Sequence, residues 1–363
     1  MTNHEFYMEL ALQNAMAMKG QTDPNPLVGS VVVNDNRIVG VGAHMKAGEP
    51  HAEIHAIRMA GEHARGATIY VTLEPCSHHG RTGPCAVAIV EAGIKKVVIA
   101  TLDPNPLVSG RGVAILQEAG LEVIVGVCEE KSRKMNEVFN KFILAKTPFV
   151  TLKSAITMDG KIASHSFHSK WITSDAARED VHVLRNQHAA ILVGANTVIK
   201  DDPQLTTRLP NGRNPVRVIM DSTLRLPLHA RVVTDGEAPT WVFTTKRHDP
   251  ERKKALEEAG IRVFVTDQGD RVHPAEVLHT LGKELISSLL IEGGGEVNAS
   301  FFEHRLVDKV IIYMAPKLIG GRNAPSFLAG MGLPQMSDAV ELADLSVGQL
   351  GKDFKFVGYP NYL

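Results

Sequence analysis

A chain of 363 residues is longer than one ordinary domain and predicts two or three. Its 44% hydrophobic and 22% charged residues describe a globular protein and exclude a disordered or fibrous one. With 39 basic and 40 acidic residues the formal net charge is −1, so no global field draws the chain to nucleic acid or to an anionic membrane. No segment approaches the ~20 apolar residues of a membrane span, and Glu5, Glu9 and Gln13 interrupt the stretch that a secretory signal would keep apolar. The 3 cysteines cannot build a disulfide framework. The expectation is a cytoplasmic, multidomain protein with reduced thiols.

Tyr7, Leu10, Ala11, Asn14, Ala15 and Met18 recur with the helical period and predict an opening helix. Val28–Val33 and Ile38–Ala43 flank Asn34-Asp35-Asn36 and predict a hairpin. A helix from about His51, a strand Thr68–Leu73, a helix from about Cys85, a strand Lys96–Ala100, a helix Gly110–Ala119 and a strand Glu122–Val125 follow. Met135, Val138, Phe139, Phe142 and Ile143 mark one face of a single closing helix. Strands alternating with helices argue a three-layer α/β sandwich.

The pattern stops at Lys146-Thr147-Pro148 and restarts with an apolar strand, Phe149–Ala155, which divides the chain into domains 1–146 and 147–363. Ala177, Val181 and Leu184 predict a helix, and strands follow at Ala190–Gly194, Val216–Met220, Thr240–Thr244, Ile261–Val265, Ser288–Ile291 and Lys309–Ala315. The second half is therefore also α/β.

One hexapeptide occurs twice, as Asp23-Pro24-Asn25-Pro26-Leu27-Val28 and Asp103-Pro104-Asn105-Pro106-Leu107-Val108. Proline-flanked Asp and Asn make rigid turns, so the repeat is read either as turn chemistry used twice or as two immobilised polar groups over one pocket.

The sharpest chemical signal is His51-Ala52-Glu53, followed by Pro75-Cys76 and Pro84-Cys85. One histidine and two thiolates supply three ligands to Zn²⁺ and leave a fourth position for water, as a catalytic site requires. Glu53 then relays a proton rather than binding the metal. Residues two apart diverge within a helix, but Pro50 marks a helix start, where both side chains can face one pocket. Pro84 likewise sets Cys85 at a helix start, where the dipole favours a thiolate. The other readings are two buried small apolar residues, half a structural zinc site with His78 or His79, or a two-histidine face of His51 and His55. Cys128 is assigned to packing. The order His-x-Glu, Pro-Cys, Cys is that of the nucleobase deaminases, except that eight residues separate the cysteines where the common signature has two.

The run Thr72-Leu73-Glu74-Pro75-Cys76-Ser77-His78-His79-Gly80-Arg81-Thr82-Gly83-Pro84-Cys85 carries that longer interval and resembles the bifunctional deaminase/reductase family of riboflavin biosynthesis. The second half matches the same family in Thr151–Ala155, Asp159–Ala163, Ser169–Ser174, Gly194–Thr197, Asp201–Arg208 and Ile291–Gly295. The resemblance covers essentially the whole chain. It implies a cytidine-deaminase-like sandwich followed by a dihydrofolate-reductase-like α/β domain. The first would hydrolyse an amine from 2,5-diamino-6-(5-phosphoribosylamino)pyrimidin-4(3H)-one; the second would reduce the resulting 5-amino-6-(5-phosphoribosylamino)uracil to its ribitylamino form with NADPH. It implies one Zn²⁺ per chain on His51, Cys76 and Cys85, with Glu53 as proton donor and substrate contacts at Asn25, His44, His78, Arg81, Asp103 and Asn105. It further implies NADPH contacts at Ala155, Trp171, Thr197, Asp201, Ser222 and Gly294, Gly295, Glu296, Val297, Asn298, Ala299 and Ser300. Reductase substrate contacts would be Lys153, Ser169, Arg185, Leu205, Arg208 and Glu292. The partners implied are small phosphoribosyl-pyrimidines, neither nucleic acid nor membrane, in a homo-oligomer.

Taken without the resemblance, the reductase residues are weaker signals. Glu292-Gly293-Gly294-Gly295 between a strand and a helix could cradle a phosphate, yet lacks the third glycine of the dinucleotide fingerprint. From the residues alone Asp201-Asp202-Pro203 reads as a surface turn and Trp171 as core. The competing function is a zinc deaminase of another nucleotide, or of nucleic acid, with an appended non-catalytic domain. A basic channel and stacking aromatics would mark the nucleic-acid form, and the aromatic content is only 5%.

Overall fold

The computed structural model describes residues 2–77, 83–106 and 108–362. Contacts divide the chain into two compact units, Met1–Lys146 and Thr147–Leu363. The first runs α1 (Asn3–Met16), β1 (Gly29–Asn34), β2 (Arg37–Ala43), α2 (Ala52–Ala60), β3 (Thr68–Val71), α3 (Cys85–Glu91), β4 (Lys96–Ile99), α4 (Arg111–Glu118), β5 (Glu122–Val125), α5 (Glu129–Met135) and α6 (Glu137–Ala145). Its strands lie in the order β2-β1-β3-β4-β5, antiparallel through β1 and parallel from β3 to β5. Alternate residues of β1 point to opposite faces. Val31 and Val33 pack with Met8, Ala11 and Leu12 of α1, while Val32 packs with Ala56, Ala86 and Leu116 of α2, α3 and α4. The expected three-layer sandwich follows.

Two glycines of β2 set how closely α2 lies on the sheet. A Cβ on Gly40 would stand 2.1 Å from the Ala56 carbonyl oxygen, and one on Gly42 would stand 2.2 Å from that of Ala52. No side chain fits at either position, and the first turn of α2 is thereby held against the hairpin.

The single closing helix expected over Met135–Ile143 is two helices, interrupted at Asn136 (φ −100°, ψ 24°). The cause is a pair of hydrogen bonds. The buried Asn136 amide accepts from Leu27 N (2.8 Å) and donates to Leu27 O (2.9 Å), pinning the residue that follows the first Asp-Pro-Asn-Pro turn. An apolar stripe cannot reveal a polar side chain that copies a strand partner.

The second unit runs β6 (Phe149–Thr157), α7 (Asp175–Gln187), β7 (Ala190–Gly194), α8 (Ala195–Asp201), β8 (Val216–Met220), α9 (Arg231–Thr234), β9 (Thr240–Thr245), α10 (Pro250–Glu258), β10 (Arg262–Thr266), α11 (Pro274–Lys283), β11 (Ser288–Ile291), α12 (Gly295–Glu303), β12 (Lys309–Ala315), β13 (Glu341–Leu350) and β14 (Asp353–Asn361). The sheet order is β10-β9-β8-β7-β11-β6-β12-β14-β13, parallel from β10 to β12 and antiparallel beyond. Its central strands are covered on both faces and so read as unbroken apolar runs. Leu289 and Ile291 pack with α11 and Phe301 of α12, whereas Leu290 packs with Ala177, Val181 and Leu184 of α7. The hairpin β13–β14 has no counterpart in the sequence reading. A bulge between Ala343 and Ser346, with Asp344 at φ 48°, breaks the alternation, and β13 is exposed along nearly its whole length. Among the described residues no helix is long and apolar enough to cross a membrane.

The close approach of α2 is testable. Gly42→Ala should destabilise the protein by roughly 1–3 kcal/mol, because the methyl group meets backbone and cannot be absorbed by a rotamer change. Thermal unfolding measures this, and an unchanged midpoint would mean that α2 can shift without cost.

Candidate active sites

In the first unit two helix starts, those of α2 and α3, meet the loop that leaves β3. His51 is the N-cap of α2, so its backbone is still extended while Glu53 already lies in the first turn. Cys85 opens α3 behind Pro84, and Cys76 lies beyond the end of β3. His51 Nδ1 stands 3.6 Å from Cys76 Sγ and 3.3 Å from Cys85 Sγ, and all three ligand atoms lie within 4.8 Å of one another. A tetrahedral zinc with ordinary Zn–N and Zn–S bonds has N···S edges of about 3.5 Å. The donor set therefore fits that ion, through Nδ1 of the histidine. His55 is outside the cluster.

Cys76 holds its thiolate readily. Its pKa is pushed down to about 4, first by the Cys85 thiol and then by His51 and the Cys85 amide, which donates to Sγ at 3.3 Å. The same contact pushes the Cys85 thiol up. The His51 imidazole is raised, chiefly by Cys76. Burial pushes Glu53 up to about 7, and its Oε2 has no hydrogen-bond partner although the residue is only 2% exposed. A buried carboxyl that is neither a ligand in the triangle nor fully satisfied is suited to exchange protons.

His44 and Asn25 adjoin the cluster. The His44 ring meets that of His51 edge-on, with centroids 5.3 Å apart, and Asn25 Nδ2 donates to His44 Nε2 at 3.0 Å. Burial keeps His44 below the usual histidine range, so Nε2 accepts while Nδ1 faces the Pro50 carbonyl at 3.4 Å. The second copy of the repeat forms an Asx turn in which Asp103 Oδ1 accepts from Asn105 N (2.8 Å), and Asp103 N donates to Glu74. His78 and Arg81, with His79, lie outside the described residues. Cys128 is half-buried at the edge of the α1 core.

In the second unit the elements that follow β7, β8 and β11 carry several of the expected residues, at the carboxyl side where open α/β sheets bind ligands. Lys153 and Ala155 share one face of β6. Thr197 and Asp201 lie on α8, Ser222 just after β8, and Gly294 is the N-cap of α12, with no capping side chain. The turn into α12 needs glycine: a Cβ on Gly293 would be 2.8 Å from Val297 and one on Gly295 would be 2.6 Å from the Ser326 oxygen. Gly294, Gly295, Glu296 and Val297 form the start of this helix. Asn298 and Ala299 are buried, and Asn298 Nδ2 donates to Phe327 O at 2.7 Å, so these two face the protein rather than the opening. Ser300 lies one turn further on.

Glu292 is the electrostatic centre. Arg185 grips it with two hydrogen bonds of 2.8 and 3.1 Å, and Lys153 Nζ is 3.3 Å away. Burial opposes its ionisation, but Arg185 and Lys153 outweigh that and hold it well below the usual carboxylate range. Arg185 also donates to Thr206 O at 3.0 Å, between the buried Leu205 and the exposed Arg208. Sequence reading missed His182. It lies one turn from Arg185 on α7, and burial, Arg185 and Arg208 push it down; the i, i+3 spacing was the available signal. Trp171 is not core. It is 63% exposed, stacks on the Arg178 guanidinium at 4.4 Å, and lines a cavity of about 310 Å³ with Ser169, Ile172 and Lys317.

Residues 1–101 match the cytidine and deoxycytidylate deaminase zinc-binding region, and residues 148–356 match the RibD C-terminal domain. The chain is 49% identical to the riboflavin biosynthesis protein RibD of Bacillus amyloliquefaciens, covering 98% of this chain and 96% of that one. It belongs to the RibD family. The RibD of Aquifex aeolicus is 47% identical over 96% of both chains. RibD of Acinetobacter baumannii superposes with a TM-score of 0.89 at 40% identity over 99% of each chain. The diaminohydroxyphosphoribosylaminopyrimidine deaminase/5-amino-6-(5-phosphoribosylamino)uracil reductase of Thermotoga maritima gives 0.85 at 40% identity, again over 99% of each. The fold is accordingly deaminase-like, then reductase-like. The chain is a deaminase and reductase of riboflavin biosynthesis, with Zn²⁺ and NADPH as cofactors.

Glu292→Gln should leave Arg185 and Lys153 as buried cations without a countercharge, costing roughly 3–5 kcal/mol. Because the folded pKa of Glu292 lies below its unfolded value, its stabilisation is present above about pH 4.3 and is lost as pH falls through the folded pKa. Urea unfolding from pH 7 to acid tests both points: the variant should be weaker at pH 7 and lose less on acidification.

Proposed function

We propose that unit 1 performs the deamination and unit 2 the reduction, each with the residues assigned above. The observation that carries the first half is the His51, Cys76 and Cys85 triangle beside a buried, incompletely satisfied Glu53. His51, Cys76 and Cys85 hold Zn²⁺, which when bound supplies Lewis-acid activation of the attacking water. Glu53 takes a proton from that water and returns it to the departing amine, so that a C–O bond forms, the C–N bond breaks and ammonia leaves. Asn25, His44, Asp103 and Asn105 present fixed donors and acceptors to the pyrimidine edge. Arg81 and His78 complete the substrate contacts, Arg81 against the phosphate.

In unit 2 NADPH supplies the hydride, and the protein's part is to hold both reactants. The start of α12, with Ala155, Thr197, Asp201 and Ser222, receives the cofactor, and Trp171 flanks it. Lys153, Ser169, Arg185, Leu205, Arg208 and Glu292 hold the ribosylamino-uracil phosphate, with the two arginines on its anion. The net charge of −1 supports small-molecule substrates over nucleic acid. Leu345 and Val347, exposed on the edge strand β13, support a homo-oligomer. A zinc site that needs reduced thiols supports a cytoplasmic location.

Supplying the diaminopyrimidine with and without NADPH, while following ammonia and NADPH together, tests the order. Ammonia should appear in both cases and NADPH loss only after it. Glu53→Gln should keep zinc near one per chain yet slow deamination by ~10²–10⁴-fold, whereas Cys85→Ala should lose zinc and deamination together. Both should still reduce the deaminated intermediate. Zinc loss in Glu53→Gln, or ammonia release at the wild-type rate with zinc retained, would refute the role given to Glu53.

A further inference from the structure

Glu74 stands two residues before the ligand Cys76, is 5% exposed, and has no part in the chemistry above. Its carboxylate nevertheless accepts four backbone N–H groups. Oε2 takes those of Asp103 (3.2 Å) and Gly110 (3.0 Å); Oε1 takes those of Gly112 (2.9 Å) and Val113 (3.2 Å). Gly112 and Val113 belong to the first turn of α4, whose N-cap, Gly110, has no side chain to offer. Glu74 thus caps α4 from another element, with the charge that a helix start favours. The approach is close, since a Cβ on Gly112 would fall 2.0 Å from the Pro75 oxygen. The main chain adds a tie at the other end of the turn, where Glu74 N donates to Thr101 O at 3.0 Å.

We infer that Glu74 is a positioning residue for deamination: one carboxylate fixes the Asp103–Asn105 turn to the loop that carries Cys76. This rests on the reading that Asp103 and Asn105 touch the pyrimidine. β3 and β4 are adjacent parallel strands, so the loops that leave them emerge side by side, and beyond the ladder their spacing depends on links between the loops themselves. Glu74 supplies it at both ends of the segment between Asp103 and Gly110. The carboxylate matters because both oxygens accept. A glutamine of the same size turns an NH₂ group toward two amide donors and leaves two N–H groups unpaired in a buried place. The turn then moves relative to the metal ligands, and the substrate loses its alignment with them.

The test is a double-mutant cycle on the full-length, zinc-loaded protein, with deaminase KM, kcat and zinc content measured for Glu74→Gln, Asn105→Ala and the double variant. Glu74→Gln should keep its zinc and its reductase activity while deaminase kcat/KM falls by about tenfold or more. In the Asn105→Ala background the same substitution should add no more than about a twofold loss, because the contact it positions is already gone. A normal Glu74→Gln beside an impaired Asn105→Ala overturns the inference and leaves the substrate reading intact. Additive losses overturn it as well, since Glu74 would then act through the zinc loop alone. A normal Asn105→Ala refutes the substrate reading, and the inference falls with it. If Glu74→Gln loses zinc or does not fold, Val113→Pro takes its place in the cycle. It removes one donor from the far side, in a helical first turn that tolerates proline, and unchanged kinetics in that variant would overturn the inference.

Discussion

The first amides of an α-helix have no partner within the helix, and the interior of this chain is organised by what answers them. At α3 the Cys85 amide is met by the sulfur of Cys76, and at α4 the first turn is met by the carboxylate of Glu74. At α7 the N-cap amide and hydroxyl of Ser174 are both met by Asp353, from the start of the last strand. Each answer comes from outside the helix it caps, Cys76 from nine residues before Cys85 and Glu74 and Asp353 from much further away along the sequence. Parallel strands deliver their following helices to one edge of the sheet, so the edge collects positive helix starts. The Cys85 amide at such a start is one of the groups that lower the Cys76 thiol, after the Cys85 thiol and His51. The start of α12 has no capping side chain: its N-cap is Gly294, and the glycines on either side, Gly293 and Gly295, have no room for a Cβ.

What the sequence made legible was whatever is written locally. The hairpin, most helix starts and the boundary strand β6 are carried by turn residues, prolines and apolar period. The zinc triangle was legible for the same reason: Pro50 and Pro84 mark the helix starts that bring His51, Glu53 and Cys85 to one place. Partnerships across the chain were not legible. Nothing near Asn136 foretells its bonds to Leu27, 109 residues away, and Glu74 belonged to a quoted motif without its role being visible. The edge hairpin was lost to a bulge. Trp171 was open to a core reading because large aromatics are usually buried, but here its ring is met by a cation on α7 rather than by apolar neighbours.

The two Asp-Pro-Asn-Pro turns show why identical local chemistry still needs tertiary support. Each is stiff by itself, yet each is also tied from outside, the first through Leu27 to Asn136 and the second through Asp103 and Gly110 to Glu74. Rigid turns that were free to move as bodies would present their side chains at varying distances from the zinc ligands. The ties convert local stiffness into fixed distance.

Three buried glutamates make the final point, that the same side chain takes its role from the partners around it. Glu53 keeps an oxygen without a partner, and burial pushes it up to about 7, so that gaining and losing a proton both lie within reach. Glu74 is surrounded by amides, which bind its oxygens and carry no proton to exchange; it holds a loop in place. Glu292 is surrounded by cations that keep it ionised, and through Arg185 it ties the end of β11 to the segment of Leu205 and Arg208. None of the three could be exchanged for another without loss. Amides around Glu53 would favour its ionised form and lower the pKa that burial raises, whereas cations around Glu74 would bring no backbone with them and leave the second turn unanchored. The chemistry of each unit is therefore fixed less by which acids the chain contains than by which backbone and side-chain donors the sheet delivers to them.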